Sequence, residues 1–277
     1  DMVEAIGPDF ENIDNRLLSL TLVKERMTNA VIFTPEGKNK YPSDILHKKN
    51  ILTLRGSFRP VTKVNIDMLT EGLNKFKENK KVDENNIQLL LEITLSNLMT
   101  NGQVDERDFL DRADILCSLG YTVMISNYKK YYKLSEYLSR YTNARMGLII
   151  GVDNLMEMFD EKYYRNLNGG IMEAFGIIVT RDIKIYLYPY QADSSKELIN
   201  SKNILIHPRG KSIYEYLFNN KRIEDLSYNS EILNIFSRDV LKKIKSSEIG
   251  TWEHMVPDGV AKIIKDKSLF GMSCKIK

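Results

Sequence analysis

The sequence predicts an α/β fold, a doubly wound parallel sheet with a helical C-terminal part. Three observations carry that expectation. Short, nearly all-apolar runs alternate with longer amphipathic ones from residue 50 to about residue 164. Strands buried on both faces read as such runs, and helical crossovers between them make a parallel sheet. Two of the runs, Ile51–Arg55 and Met146–Ile150, end directly on glycines, Gly56 and Gly151. The last third of the chain carries three helical patterns, at 212–219, 229–246 and 257–267.

Taken in order, residues 1–49 give mixed signals. Ile13 to Met27 reads as a helix and Ala30 to Phe33 as a short strand. Thr34-Pro35-Glu36-Gly37 is a turn, and Tyr41 to Lys49 is polar. This segment reads as an N-terminal extension, or the end of an upstream segment, laid against a main domain of residues 50–277. There the strand Ile51–Arg55 leads into a helix over Lys63–Asn79. The apolar run Ile87–Ile93 precedes a helix from Glu106 to Leu119, which Gly120 closes as a cap glycine. Tyr121–Ser126 is a strand, Tyr128–Tyr141 a helix, Met146–Ile150 a strand and Asn154–Tyr164 a helix. Beyond these, Gly176–Val179 and Lys184–Tyr188 read as strands and 191–202 as a loop. Ile204–His207 reads as a last strand.

The 277 residues are 43% hydrophobic and 28% charged, a soluble globular balance. Forty basic and 37 acidic residues leave a net charge of +3, too balanced to point to nucleic acid or membrane. The basic stretch Lys262, Lys265, Lys267, Lys275 and Lys277 reads as a solvated face. No apolar run approaches the roughly 18 residues of a membrane span, and no basic-then-apolar leader is visible. The only cysteines, Cys117 and Cys274, lie far apart. They suit a reducing cytoplasm rather than a disulfide framework or zinc site. His47, His207 and His254 have no metal-ligand spacing. The Tyr/Lys-rich stretch 128–141 reads as an amphipathic helix rather than a base-stacking platform.

The two glycine turns carry the chemistry. A strand that ends in glycine and turns into a helix aims backbone N–H groups and a helix N-terminus at one point, where an anion is favoured. In a doubly wound sheet, ligands bind beyond the carboxyl ends of the strands, where the strand order reverses. Both turns lie at such ends.

In this frame the chain resembles the nicotinate/nicotinamide mononucleotide adenylyltransferases of the HxGH-type nucleotidylyltransferase superfamily, with a divergent motif. GSFRPVT at 56–62 is similar to the family's Gly-Ser-Phe-Asp/Asn-Pro turn. Arg112-Ala113-Asp114-Ile115-Leu116 resembles its Arg-x-x-Met-Leu helix, and 128–141 stands where its Thr-x-x-Thr-Leu helix does. Ile149-Ile150-Gly151-Val152-Asp153-Asn154-Leu155 is similar to its Ile-Gly-Ala-Asp-Asn-Leu segment. Ile177 to Arg181 resembles a strand ending in arginine, and Met255 to Val260 the closing Leu-Val-Pro helix. In order, these segments cover roughly residues 50–270.

The resemblance implies a Rossmann-like fold and an enzyme of NAD synthesis. Such an enzyme joins the AMP moiety of ATP to a pyridine mononucleotide and releases pyrophosphate, with Mg²⁺ on the phosphates. Carried over by residue, Gly56, Ser57 and Phe58 match the first turn. Thr62 and Asn65 occupy the two histidine positions, Val64 replaces the intervening glycine, and Arg59 replaces the usual Asp or Asn. Asparagine donates a neutral hydrogen bond but brings no charge. Arg59 and Lys63 are candidate cations beside the phosphates. Thr62, Asn65 and Arg59 are therefore the implied catalytic group. Gly56, Ser57, Phe58, Lys63, Gly151 and Asp153 are the implied nucleotide binders, and Asp153 also reads as a helix cap. Ser237 and Arg238 stand where the family grips phosphate near its end. The family's stacking tryptophan has Phe159, Tyr163 and Tyr164 as candidate substitutes, although aromatics on such a helix also read as core. Two other readings stay open. One is a nucleotide-binding sensor or regulatory domain of the same fold that has lost the chemistry. The other is a superfamily transferase with another acceptor. A homo-oligomer or a larger multidomain parent also stays open.

Overall fold

The computed structural model describes residues 4–100, 103–191, 197–246, 248 and 250–272. The main sheet takes eight strands: β1 Ala30–Phe33, β2 Asn39–Lys40, β3 Asn50–Arg55, β4 Ile87–Thr94, β5 Thr122–Ser126, β6 Met146–Gly151, β7 Lys184–Tyr188 and β8 Ile223–Asp225. The helices are α1 Asn15–Lys24, α2 Pro42–Leu46, α3 Lys63–Lys77, α4 Glu106–Ser118, α5 Tyr131–Leu138, α6 Val152–Met158, α7 Gly170–Thr180, α8 Pro208–Asn219, α9 Ser237–Lys245 and α10 Val260–Asp266.

The sheet order is β8-β7-β6-β3-β4-β5-β1-β2. From β3 to β8 every pairing is parallel, while β1 lies antiparallel on β5 and β2 antiparallel on β1. Counted along the chain, the parallel strands run 3-2-1-4-5-6, the order of a doubly wound dinucleotide-binding sheet. The fold is therefore the Rossmann-like α/β class that the alternation implied. The order reverses between β3 and β6, the two strands that end on glycine.

The two-residue period of each strand sorts its side chains into two cores. Leu52 and Leu54, Leu91 and Ile93, and Val123 and Ile125 pack on one face against α3, α4, α9 and α10. Ile51, Leu90, Met124, Leu148 and Ile150 pack on the other against α5, α6, α7 and α8. Each such side chain, almost wholly buried, contributes roughly 1.5–3 kcal/mol by leaving water.

The structure corrects the sequence reading in several places. The run Gly176–Val179 is helix, not strand: Ile171, Ala174, Phe175 and Ile178 are buried at helical spacing within α7. Its β-branched residues suit a strand locally, but the 3.6-residue period decides. Ile204–His207 forms no strand, and the sixth parallel strand is β8 instead. The helices expected over 128–141, 154–164 and 229–246 shorten to α5, α6 and α9, with a 3₁₀ turn at Glu161–Tyr164. The polar stretch 41–49 contains α2, and β1 from the N-terminal segment joins the main sheet. Gly120 closes α4 at φ +83 as expected. Around the 191–202 loop, Tyr190–Gln191 pairs with Leu198–Ile199, while 192–196 lie outside the described residues. So do Ser247, Ile249, Cys274, Lys275 and Lys277.

Candidate functional site

At the end of β3, the Gly56 N–H donates to the Glu92 carbonyl at 3.1 Å. The chain then doubles back through Phe58, at φ +46. The Phe58 ring folds over Gly56 and is only 2% exposed. A Cβ on Gly56 would lie 2.9 Å from its Cζ, so this glycine makes room for an internal ring. Phe58 is thus a core side chain that shapes the turn.

Arg112 of α4 holds the turn from outside. It is 1% exposed. It donates to the Ser57 carbonyl at 2.9 Å and the Asn97 carbonyl at 2.8 Å, and it pairs with Asp108. Burial pulls its guanidinium down while Asp108 opposes that shift. Asp108 also takes Arg59, whose Nε lies 2.6 Å away. Arg59 lines a hollow with Asp105, Asp111 and Lys245.

The turn passes into α3 at Thr62, which is 1% exposed. Thr62 and Asn65 form a capping box. The Thr62 N–H donates to Asn65 Oδ1 at 2.9 Å, and its hydroxyl to the same oxygen at 3.1 Å. The two histidine positions of the resembled family are thus joined as a helix cap. The Asn65 amide nitrogen donates to no described residue. Lys63, the first residue of α3, has no ion-pair partner among the described residues, and the first turn holds no acid.

Gly151, at the end of β6, is the N-cap of α6. A Cβ built there meets nothing within 4 Å. Asp153 is exposed in the first turn and makes no capping bond, so its reading as the helix cap fails.

Between these turns, at the reversal, lies a cleft of about 160 Å³. Val64 and Met68 of α3 form one side and Gly151 to Asn154 another. Tyr188 and Tyr190 close it with the segment that ends at Phe236. The clasp of this cleft is Asp67, which accepts from the Tyr188 hydroxyl at 2.5 Å and the Asn229 N–H at 3.0 Å. Burial, then the bond to Asp67, raises the Tyr188 phenol. A larger hollow of about 540 Å³ shares Asp153 and is lined by Glu157 and His207. His207 also caps α8, accepting from the Arg209 N–H at 3.4 Å.

Of the expected residues, Gly151 and Asp153 line the cleft. Ser237 is the first residue of α9, directly after Phe236. Arg238 is exposed, with its guanidinium 5.0 Å from the Phe236 ring centroid and its Nε 3.9 Å from Asp239. Gly56, Ser57, Phe58 and Arg59 instead form the internally packed first turn. Phe159 and Tyr164 are core, Phe159 stacking on Phe175 at 4.6 Å. Tyr163 lies under Lys130, 3.7 Å from its centroid. The aromatics of the cleft are Tyr188, Tyr190 and Phe236, the last two 5.9 Å apart. The sequence did signal Tyr188, the last residue of an expected strand.

A buried ion pair braces this edge of the sheet. Arg55 pairs with Glu92, which also accepts from the Ser126 hydroxyl. Arg55 donates to the carbonyls of Tyr128 at 2.7 Å and Lys129 at 3.2 Å. Its guanidinium lies 4.4 Å from the centroid of the Tyr131 ring, whose phenol burial pushes up to about 12. The ends of β3, β4 and β5 are thereby fixed together. No group of three His, Cys, Asp or Glu among the described residues could hold a metal by itself. No described helix is long and apolar enough to cross a membrane.

No protein-family model matches this chain. No curated protein matches it either. Among solved structures it is similar to Plasmodium falciparum nicotinic acid mononucleotide adenylyltransferase complexed with NaAD. The identity is 15% and the TM-score 0.48, over 81% of this chain and 98% of that one. It is also similar to a candidate nicotinate-nucleotide adenylyltransferase from Vibrio parahaemolyticus. There the identity is 11% and the TM-score 0.36, over 81% and 97%. Both bear the name of the family that the motifs resemble.

Proposed function

We propose that this chain binds ATP at the carboxyl-end cleft and transfers its adenylyl group to a pyridine mononucleotide. The observation that carries this reading is the cleft at the reversal between β3 and β6. It combines an open-faced Gly151 with the start of α3, which carries Lys63 and no acid in its first turn. A helix start of that kind favours phosphate.

In the proposed reaction an oxygen of the mononucleotide phosphate attacks the α-phosphorus. A new P–O bond forms, the bond to the β-phosphate oxygen breaks, and pyrophosphate leaves. The protein's share is positioning and charge stabilisation. Lys63 and the first N–H groups of α3 hold phosphate, Gly151 lets it approach the backbone, and Asn65 offers its free amide N–H. Phe236 and Tyr190 offer aromatic faces to a ring, and Arg238 a cation beside them. Mg²⁺ commonly sits on substrate phosphates and one or two carboxylates. Asp153, the one acidic side chain lining the cleft among the described residues, fits that demand. The ion would neutralise phosphate charge.

A second reading, binding without transfer, is favoured by a specific observation. Asn65 is neutral where the resembled family has a histidine, and Arg59 is committed to Asp108, so neither brings free charge to the cleft. Incubation with ATP, Mg²⁺ and nicotinate or nicotinamide mononucleotide separates the two. Pyrophosphate and dinucleotide formed together support transfer. ATP binding by calorimetry without turnover sinks transfer and keeps the binding domain. No ATP binding sinks both.

A further inference from the structure

The opposite end of the sheet carries a second concavity. The amino ends of β6, β7 and β8 and the chain after α3 enclose a hollow of about 290 Å³. Lys81, Arg145, Lys184, Lys221 and Arg222 line it, with Asp182 as its one acid. Asp182 pairs with both Arg145 and Arg222, and Lys184 pairs with Glu224 at 2.6 Å. Five cations therefore face two carboxylates. That excess of three equals the net charge of the whole chain. The nearby Glu78 is already taken by Lys75, at 2.6 Å.

Helix ends explain part of this charge. The C-termini of α3, α7 and α8 reach this edge, and each end acts as about −0.5 charge, so the three offset about −1.5. About half of the excess is left over. Lys81 and Lys221 have no ion-pair partner among the described residues. Both guanidinium groups share one carboxylate, so each keeps N–H donors to spare, in the planar fork that suits phosphate oxygens. The lining aromatic, Phe76, is 1% exposed and offers no face for base stacking. The volume is that of a small molecule rather than a polymer groove.

We propose that this hollow binds a small phosphorylated polyanion, at the end of the sheet opposite the cleft. The site is independent of the reading given to the cleft.

Inorganic pyrophosphate is the probe, titrated by calorimetry into the full chain. Wild type is expected to show saturable binding that weakens with salt. The double variant Lys81→Glu/Lys221→Glu is expected to lose at least tenfold in affinity, and Lys81→Gln/Lys221→Gln less. Both should keep the wild-type melting temperature, since neither lysine holds an ion pair. Lys63→Glu, at the start of α3, is expected to remove only binding at the cleft and to leave the component that depends on Lys81 and Lys221. Wild-type titration that never saturates at millimolar probe overturns the proposal. So does a Glu/Glu variant that binds like wild type. Tighter, variant-sensitive binding of a single-stranded oligonucleotide also overturns it, in favour of a nucleic-acid surface.

Discussion

Gly56 and Gly151 end adjacent parallel strands, and each leads into a helix, yet they are glycine for different reasons. At Gly56 the missing Cβ admits the ring of Phe58, and the turn is clamped by Arg112 and closed by its own capping box. At Gly151 the missing Cβ leaves open space beside a cleft. The first turn is filled by its own Phe58 ring and the second is not. Equivalent sequence signatures can therefore mark an architectural demand in one place and room for a ligand in the other. Only the surroundings of the absent methyl tell them apart.

The largest expected effect strikes the clamped turn. Arg112→Ala removes one of the two partners of a buried Asp108, Arg59 remaining, and orphans two carbonyls, and should cost about 2–4 kcal/mol, read from urea unfolding. A loss below about 1 kcal/mol would mean that α4 does not hold the turn. Next come the glycines themselves. Gly56→Ala should cost about 1–3 kcal/mol through overpacking against Phe58, and less in a Phe58→Leu background. Gly151→Ala, at φ −82 with no neighbour to strike, should stay within about 0.5 kcal/mol while weakening ATP binding. Equal stability losses at the two glycines would erase the distinction. Asn65→Ala should cost about 1 kcal/mol through the lost cap, seen as a lower melting temperature. The effect at Lys63 is small and of opposite sign. Removing a cation from a helix start in Lys63→Gln should stabilise by about 0.3–1 kcal/mol. ATP affinity, measured by calorimetry, should fall in the same variant. A lysine that weakens the fold and strengthens binding would mark the start of α3 as built for an anion.

Much of the sheet was legible because its strands announce themselves. Leu52, Leu54, Leu148 and Ile150 are apolar on both faces, which a buried parallel strand demands. β8 escaped notice because it is three residues, Ile-Glu-Asp, whose register comes from β7 rather than from its own composition. The α7 run misled because isoleucine and valine suit strands locally, while its helical burial depends on α5 and α8 beside it. In the site, Thr62-x-x-Asn65 could have been read as a cap from its spacing alone. The pairing of Arg59 with Asp108 could not, because 49 residues separate them and only the fold brings them together. Phe236 likewise stood inside a helical pattern over 229–246, and only the fold starts α9 one residue after it and brings it to the cleft.

The placement of β1 has a consequence for the edge of the sheet. Without β1, the edge of the sheet would be β5, five buried residues with a full row of unpaired backbone groups. Such an edge recruits another strand, and the nearest source at high concentration is a second copy. The strand that β1 exposes in turn is met by β2, only two residues long and ending on an exposed lysine, Lys40. The N-terminal segment thus covers a strand edge that would otherwise stand open. A chain cut back to residues 50–277 should clump before it fails to fold.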